Sequence, residues 1–148
     1  MSIAFVRSLL LASGLLLPLV GLAQAGSDTS LAETLKANRW QKRVLLLCAA
    51  SADQPALKQQ QALLAQDKAG LQERDMLVLD LVTTEMSTAD KQFLRQKLGV
   101  AEAPFTAVLI GKDGGIKRKD TAPITPLRLF GTIDTMPMRR QEAKGKKP

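Results

Sequence analysis

The sequence predicts a three-layer α/β/α domain, built on a mixed four-stranded sheet, with a C-terminal antiparallel hairpin and a final helix. Continuous apolar runs at 43–49 and 76–82 are typical of strands that are buried on both faces. Helical patterns follow these runs, and a glycine-rich turn at 111–115 separates two further strand-like segments. At 148 residues, with 45% hydrophobic side chains, the chain suits one such domain.

Residues 1–25 have the pattern of a secretory signal peptide. Arg7 precedes an apolar run at 9–20, and the small-residue pattern Ala23-Gln24-Ala25 follows that run. The run is shorter than the roughly 20 residues that a helix needs to span a bilayer. We therefore predict cleavage after Ala25, a periplasmic or secreted location, and no stable membrane insertion once the signal peptide is removed.

The first half of the remaining chain predicts two helices around the first strand. Ser30, with Glu33 three residues later, fits a capping box that opens a short helix. After the strand, Asp53 is the predicted N-cap of a second helix, with Pro55 in its first turn and Gly70 at its end. The next apolar run follows as a second buried strand.

The following segment predicts a third helix and the hairpin. Ser87 or Thr88 caps the helix, and Gly99 ends it. The segments 105–110 and 116–119 flank the glycine-rich turn as antiparallel strands. Basic residues in the second of these strands suit an exposed sheet edge.

The C-terminal part predicts one more helix and a tail. Thr125 is the predicted N-cap, Pro126 occupies the first helical position, and Pro137 ends the helix. Much of the net charge of +7 lies beyond this point, in Arg139, Arg140, Lys144, Lys146 and Lys147. We predict a domain over 26–140 and a basic, flexible tail over 141–148, because the tail has no apolar periodicity.

The predicted order of elements after the leading helix is strand, helix, strand, helix, strand, strand, helix. A right-handed parallel crossover followed by an antiparallel hairpin, with helices on both faces of the sheet, is the minimal thioredoxin-like topology. The sequence therefore predicts a thioredoxin-like fold.

Several sequence blocks have the composition and spacing of one domain family. They are Trp40-x-x-Arg43-Val44-Leu45-Leu46-Leu47; Gln60; Glu73-Arg74-Asp75-Met76; Leu109-Ile110-Gly111-Lys112-Asp113-Gly114-Gly115-x-Lys117; and Ile133-Asp134-x-Met136-Pro137-Met138-Arg139-Arg140-x-Glu142. In these blocks, across about residues 30 to 142, the chain resembles the bacterial domain of unknown function DUF4174. The resemblance implies a thioredoxin-like, peroxiredoxin-related fold, which also occurs in vertebrate sushi-repeat and extracellular-matrix proteins. It implies no assigned activity.

The composition excludes catalysis that needs imidazole or paired thiols. The sequence has no His and one Cys, so Ser-His-Asp and Cys-His sites cannot form. Thiol-disulfide exchange on this fold uses a Cys-x-x-Cys after the first core strand, where this chain has Ala50-Ser51-Ala52-Asp53. The acidic residues lack the spacing of a metal site, and we expect neither a metal ion nor a cofactor.

Cys48 has two interpretations. It is either a small hydrophobic residue of the buried strand or the single nucleophile of a thiol oxidoreductase or peroxidase. Because no base and no helix N-terminus lies beside it in the sequence, the sequence favours the first.

The candidates for a binding surface are Ser51, Asp53, Thr106, Arg139 and Arg140. The first two lie at the predicted mouth of the fold. Alignment on Gly114 of the turn places Thr106 opposite them, near the position at which this fold carries its cis-proline. A cis peptide bond before Pro104, two residues earlier, is a second candidate for that position. The two arginines either pair with acidic side chains or bind an anionic partner.

These observations predict an exported, non-catalytic binding or accessory module on a thioredoxin-like scaffold. The alternative is a single-cysteine oxidoreductase or peroxidase that uses Cys48. The expected partner is an unknown protein or an anionic envelope component that the basic tail attracts. Specific nucleic-acid binding is not expected, because aromatic residues make up only 3% of the chain and few side chains are available to stack on bases.

Overall fold

A computed structural model describes residues 29–101 and 103–145 of the chain. The predicted signal peptide and residues 146–148 lie outside these ranges. In chain order the elements are α1 (Leu31–Asn38), β1 (Arg43–Ala49), α2 (Pro55–Ala65), α3 (Lys68–Glu73), β2 (Met76–Val82), α4 (Thr88–Gln96), β3 (Phe105–Ile110), β4 (Ile116–Asp120), α5 (Pro126–Asp134) and α6 (Pro137–Gly145). Within the described ranges, no helix is long and apolar enough to cross a membrane.

The four strands form one mixed sheet in the order β2-β1-β3-β4. β1 runs parallel to β2 and antiparallel to β3, and β4 pairs antiparallel with β3. Every residue of β1 and β3 is buried, as expected of the central strands. The predicted α/β fold, with its mixed four-stranded sheet and C-terminal hairpin, is confirmed.

β2 has the predicted bounds, but the prediction that it is fully buried is wrong. Its apolar residues are only partly buried, and Asp80 is exposed. The reason is the position of β2 at the edge of the sheet, where it pairs with β1 alone. A continuous apolar run therefore identified the strand without distinguishing an edge from the centre.

Helices cover both faces of the sheet, and successive residues of β1 point to opposite faces. On one face, Leu45 shares a core cluster with Leu57 of α2 and Leu129 of α5, and α3 packs on the same side. On the other face, Leu46 shares a second cluster with Leu94 of α4, and α1 completes this layer. The chain thus has the two apolar cores of a three-layer fold.

Three predicted helix starts are confirmed. The Ser30 hydroxyl accepts a hydrogen bond from the Glu33 N–H at 3.2 Å, and Glu33 completes the capping box. Ser87 is the N-cap of α4 and Thr125 that of α5. Each hydroxyl satisfies an N–H group that has no partner within its own helix.

Asp53 is not the N-cap of α2, contrary to the prediction. α2 begins at Pro55, and its N-cap is Gln54, whose side chain makes no capping hydrogen bond. The Asp53 carboxylate accepts a hydrogen bond from Ser51 instead, which lowers the pKa of that carboxyl. Because Pro55 takes the first helical position, the helix starts one residue later and Asp53 stays outside it.

The helix predicted to run to Gly70 is two helices. α2 ends at Ala65, and α3 starts after Asp67, whose carboxylate accepts a hydrogen bond from the Gly70 N–H at 2.7 Å. Gly70 lies inside α3, where an added Cβ would stand 2.6 Å from Cε2 of Phe130. The glycine therefore permits close packing of α3 against α5 and does not end a helix.

The hairpin between β3 and β4 is confirmed, with β4 reaching Asp120. The Asp113 carboxylate accepts a hydrogen bond from the Gly115 N–H at 3.0 Å. Gly114 has a φ of 84°, which glycine adopts without strain. The glycine-rich segment is thus a strand connection, as predicted.

The prediction of a flexible tail from residue 141 is wrong for residues 141–145. α5 ends at Asp134, and Pro137 begins the additional helix α6, which runs to Gly145. Proline ends a helix when it falls in the interior, but it suits the first turn, where its missing N–H has no partner to lose.

Candidate functional site

The largest groove that we describe lies at the end of the sheet where β1 and β2 terminate, and we call it the sheet-end groove. Its volume is about 700 Å³. The loops after β1 and β2 border it, and Pro104, directly before β3, lies on its third side. The Thr84 hydroxyl donates to the Ala50 carbonyl at 2.9 Å and so ties the two loops together.

The floor of the sheet-end groove is apolar, and its rim is polar and basic. Leu94 of α4 and Val100 contribute to the floor. Gln54, Lys91 and Arg95 contribute to the rim. Because Lys91 and Arg95 lie four residues apart on α4, one helix face presents both cations to the same groove.

Cys48 lies on β1 and lines this groove, although its side chain is only 3% exposed. Burial raises the pKa of the thiol to about 11. At neutral pH the sulfur is therefore protonated, and a protonated thiol is a poor nucleophile. The free cysteine behaves as part of the apolar floor.

We expect Cys48 to react slowly with a thiol reagent in the native protein and rapidly after denaturation. The reasons are its low exposure and its raised pKa. A time course of maleimide labelling, followed by mass spectrometry at pH 7.5 with and without urea, measures both rates. Rapid native labelling would contradict this prediction, whereas Cys48→Ala is expected to change folding stability by no more than about 1 to 2 kcal/mol.

Ser51, Asp53 and Thr106 lie around the sheet-end groove but are not among the residues that line it. Ser51 and Asp53 belong to the loop after β1. Thr106 is buried on β3, where it pairs in register with Cys48. The peptide bond before Pro104, one candidate for a cis bond, is trans.

The rim residues Lys91 and Arg95 did not emerge from the sequence as candidates. Both occupy a polar helix face that is usually only solvated, and no motif distinguishes them. Their four-residue spacing on an amphipathic helix is the one available signal. The neighbouring strand ends that turn this face into a groove wall are visible only in three dimensions.

Arg139 lies elsewhere, in α6, and its side chain is buried and paired with acidic groups. Its guanidinium donates to Asp134 at 3.1 Å and to the Glu73 carboxylate. Of the two interpretations open at the sequence level, these contacts support pairing within the chain. Arg140 is exposed, and its side chain makes no ion pair with any described residue.

Four of the five sequence blocks that carry the family resemblance, all except Gln60, contribute to one ion-pair cluster, which we call the C-terminal cluster. Its members are Arg43, Asp75, Lys112 and Glu142. Arg43, which is 1% exposed, donates to both Glu142 carboxylate oxygens at 3.2 Å. Lys112 donates to Glu142 and to Asp75, each at 2.8 Å. The cluster joins α6 to the start of β1 and to the hairpin turn. Its charged residues therefore have a structural role within the domain.

Glu142 is ionised within this cluster. Burial disfavours its charge, but the hydrogen bonds from Lys112 and Arg43 prevail and hold the pKa of the carboxyl below its ordinary value of 4.5. Across the described part of the chain, no group of three or more His, Cys, Asp or Glu side chains could hold a metal ion.

Comparison with known proteins identifies a sequence relative and similar solved structures. The chain is 30% identical over 112 residues to the sushi repeat-containing protein SRPX of Rattus norvegicus, a match that covers 68% of this chain and 24% of the rat protein. The chain therefore spans about a quarter of that relative's length.

The solved structures share little sequence with this chain. The reduced 2-Cys peroxiredoxin of Plasmodium vivax has a TM-score of 0.54 at 13% identity, with 72% of this chain and 84% of that chain covered. StoA from Bacillus subtilis has a TM-score of 0.44 at 15% identity, with 62% and 81% covered. The peroxiredoxin match supports the thioredoxin-like description of the fold.

The family comparison covers most of the chain. A domain of unknown function, DUF4174, matches residues 34–142, which include both central strands, the hairpin turn and the C-terminal cluster. The chain belongs to the DUF4174 family.

Proposed function

We propose that this chain is an exported binding module that holds an acidic, extended segment of a partner protein in the sheet-end groove, without chemical turnover. The observation that carries the proposal is the composition of the groove, an apolar floor beside the cationic rim residues Lys91 and Arg95. Such a surface suits a peptide that alternates apolar and acidic side chains. The predicted signal peptide supports placing that partner in the cell envelope.

The apolar and charged parts of the groove contribute in different ways. Apolar side chains of the partner displace water from the more exposed apolar lining residues, Ala101, Ala103 and Pro104, which gives most of the affinity. Lys91 makes no ion pair with any described residue, so its charge is available to a carboxylate of the partner. Rim charges mainly increase the rate and specificity of association.

The proposed absence of turnover rests on the state of the single thiol in the sequence, Cys48. The loop after β1 contains no Cys, and Cys48 is protonated beneath the groove surface. A second candidate function, a single-cysteine oxidoreductase or peroxidase, is favoured by one observation, that Cys48 lines the groove. Peroxide consumption that disappears in Cys48→Ser would support this second candidate.

The proposal is tested with an array of synthetic ten-residue peptides of random sequence. We expect the chain from Gly26 onward to select peptides that combine apolar and acidic residues, and Lys91→Glu to lose at least half of that signal. Lys144→Glu is the matched control, since Lys144 is exposed on α6 and outside the groove. It makes the same change in net charge and should leave the selection unchanged.

Two outcomes would contradict the proposed function. One is selection of peptides without acidic enrichment. The other is an equal loss of binding in Lys91→Glu and Lys144→Glu, which would indicate general charge attraction. Binding to an anionic polysaccharide in place of peptides, with a larger loss in Lys144→Glu than in Lys91→Glu, would identify the basic C-terminus as the attracting element.

A further inference from the structure

The two edges of the sheet differ in how they are protected against pairing. β4 carries Lys117, Arg118 and Lys119, and its register with β3 is irregular between Leu109 and Ile110. Charged side chains and bulges are features that keep an edge strand from pairing with another chain. β2 has neither a bulge in its register with β1 nor more than one charged residue, Asp80.

The outer edge of β2 presents a full set of backbone hydrogen-bonding groups. The Asp75 carbonyl accepts from the Arg43 N–H at 3.0 Å, and the Thr83 N–H donates to the Ala49 carbonyl at 2.8 Å. The backbone N–H and C=O groups of the odd-numbered residues of this strand therefore point toward β1, since these groups alternate in direction from one residue to the next. The outward N–H and C=O groups belong to Met76, Val78, Asp80 and Val82.

No described strand pairs with this outer edge. The side chains beside it are apolar and only partly buried, and a seven-residue strand with these properties is long enough to form a stable ladder. The strand also places apolar residues opposite apolar residues at most positions when it pairs antiparallel with a second copy of itself. For this reason we infer that a second copy of the chain occupies the edge.

We propose that β2 pairs antiparallel with β2 of a second copy of this chain, about a two-fold axis at Leu79. Pairing of outward groups requires even-numbered residues to oppose even-numbered residues. An axis at Leu79 meets this condition and lets all seven residues overlap, because Leu79 is the middle of the strand. The two sheets then become one continuous eight-stranded sheet with an isologous interface.

This register matches side chains across the axis on both faces. Leu79 meets Leu79 of the second copy, and Leu77 meets its Leu81, which forms a leucine ladder. On the opposite face, Asp80 lies across from Val78 of the second copy. An axis at Val78 or Asp80 would shorten the overlap, and the latter would place two carboxylates directly opposite each other.

Charge complementarity supports the same register. A groove of about 310 Å³ beside β2 is lined by residues that include Val78, Asp80 and Lys68. Lys68 makes no ion pair with any described residue, and Asp80 accepts one hydrogen bond, from Gln61 at 2.7 Å. Because Asp80 of one copy faces Val78 of the other, this register brings its carboxylate to the edge of the groove that the second copy's Lys68 also lines.

Cysteine cross-linking tests the register directly in a Cys48→Ala background. Opposed residues of a non-hydrogen-bonded antiparallel pair have Cα atoms about 4.5 Å apart, within the range of a disulfide. Leu79→Cys should therefore form a covalent dimer under mild oxidation. Leu77→Cys should not do so alone, but it should cross-link when mixed with Leu81→Cys.

Sedimentation equilibrium tests the association itself. We expect a dimer for the unmodified chain and a monomer for Leu79→Lys, whereas Ile116→Lys, the matched change at the β4 edge, should remain dimeric. Lys68→Glu should weaken the dimer about tenfold, because two symmetric pairs become repulsive, and adding Asp80→Lys should restore it. The charge variants keep the test valid if Leu79→Lys does not fold.

Any of three results would overturn the proposal. The first is a monomeric unmodified chain at the highest soluble concentration. The second is a dimer that persists in folded Leu79→Lys, which would place the interface elsewhere. The third is a dimer that cross-links through Leu77→Cys alone, which would place the two-fold axis elsewhere.

Discussion

Replacing Glu142 with alanine is expected to lower the free energy of unfolding by about 3 kcal/mol. Arg43 is 1% exposed, and two of its guanidinium nitrogens donate to Glu142. Without that carboxylate, the buried guanidinium keeps its hydrogen bond to the Arg74 carbonyl at 2.9 Å but loses the acid that pairs with it. Urea denaturation followed by circular dichroism measures the change.

Two comparisons separate this effect from a general loss of surface charge. Glu85→Ala removes an exposed carboxylate in the turn after β2 and should change stability by less than about 0.5 kcal/mol. A chain that ends at Arg140 should lose at least as much stability as Glu142→Ala. A truncated chain as stable as the full chain would show that α6 contributes nothing and would contradict the role of the cluster.

The lowered pKa of the Glu142 carboxyl also determines how the free energy of unfolding changes with pH in the acid range. The folded-state pKa of Glu142 lies below 4.5, so its contribution is present above that pH and is lost as the pH falls through the folded value. Glu142→Gln lacks the charge at every pH. Its deficit relative to the unmodified chain should therefore be largest at neutral pH and should narrow below pH 4.5.

Most of the order of secondary structure was predictable because most elements have a local signal. The run at Arg43–Ala49 and the hydroxyl caps Ser30 and Thr125 determine their own surroundings. The wrong prediction of a flexible tail has a non-local cause. Glu142 lies in a basic, polar segment that resembles a tail, and only its approach to Arg43, far away in the chain, makes it structural.

The candidate site was less predictable than the fold for a similar reason. The sequence identified the loop after the first strand as part of a candidate site, because Ser51 lies where enzymes of this fold carry the reactive cysteine. It did not identify Lys91 or Arg95, because a groove wall arises when α4 passes the ends of two strands. Periodicity reports which face of a helix is polar, but not what that face lies beside.

Gln60 shows how a single buried side chain can connect distant elements, and its replacement by methionine should lower the free energy of unfolding by about 3 kcal/mol. The residue is fully buried in α2. Its amide donates to the Ile124 carbonyl at 3.0 Å and accepts from the Ile124 N–H at 2.7 Å. Methionine fills a similar volume but leaves both backbone groups without partners, at about 1 to 3 kcal/mol each.

Gln61→Met is the matched control, because the neighbouring glutamine is partly exposed and bonds to Asp80 at the surface. We expect it to change stability by less than about 1 kcal/mol in the same urea titration. Gln60→Glu should also destabilise, since it keeps an acceptor for the Ile124 N–H but loses the donor to the Ile124 carbonyl and buries a charge. If Gln60→Met were no worse than Gln61→Met, the backbone at Ile124 would have to find other partners, and the link between α2 and the start of α5 would not depend on Gln60.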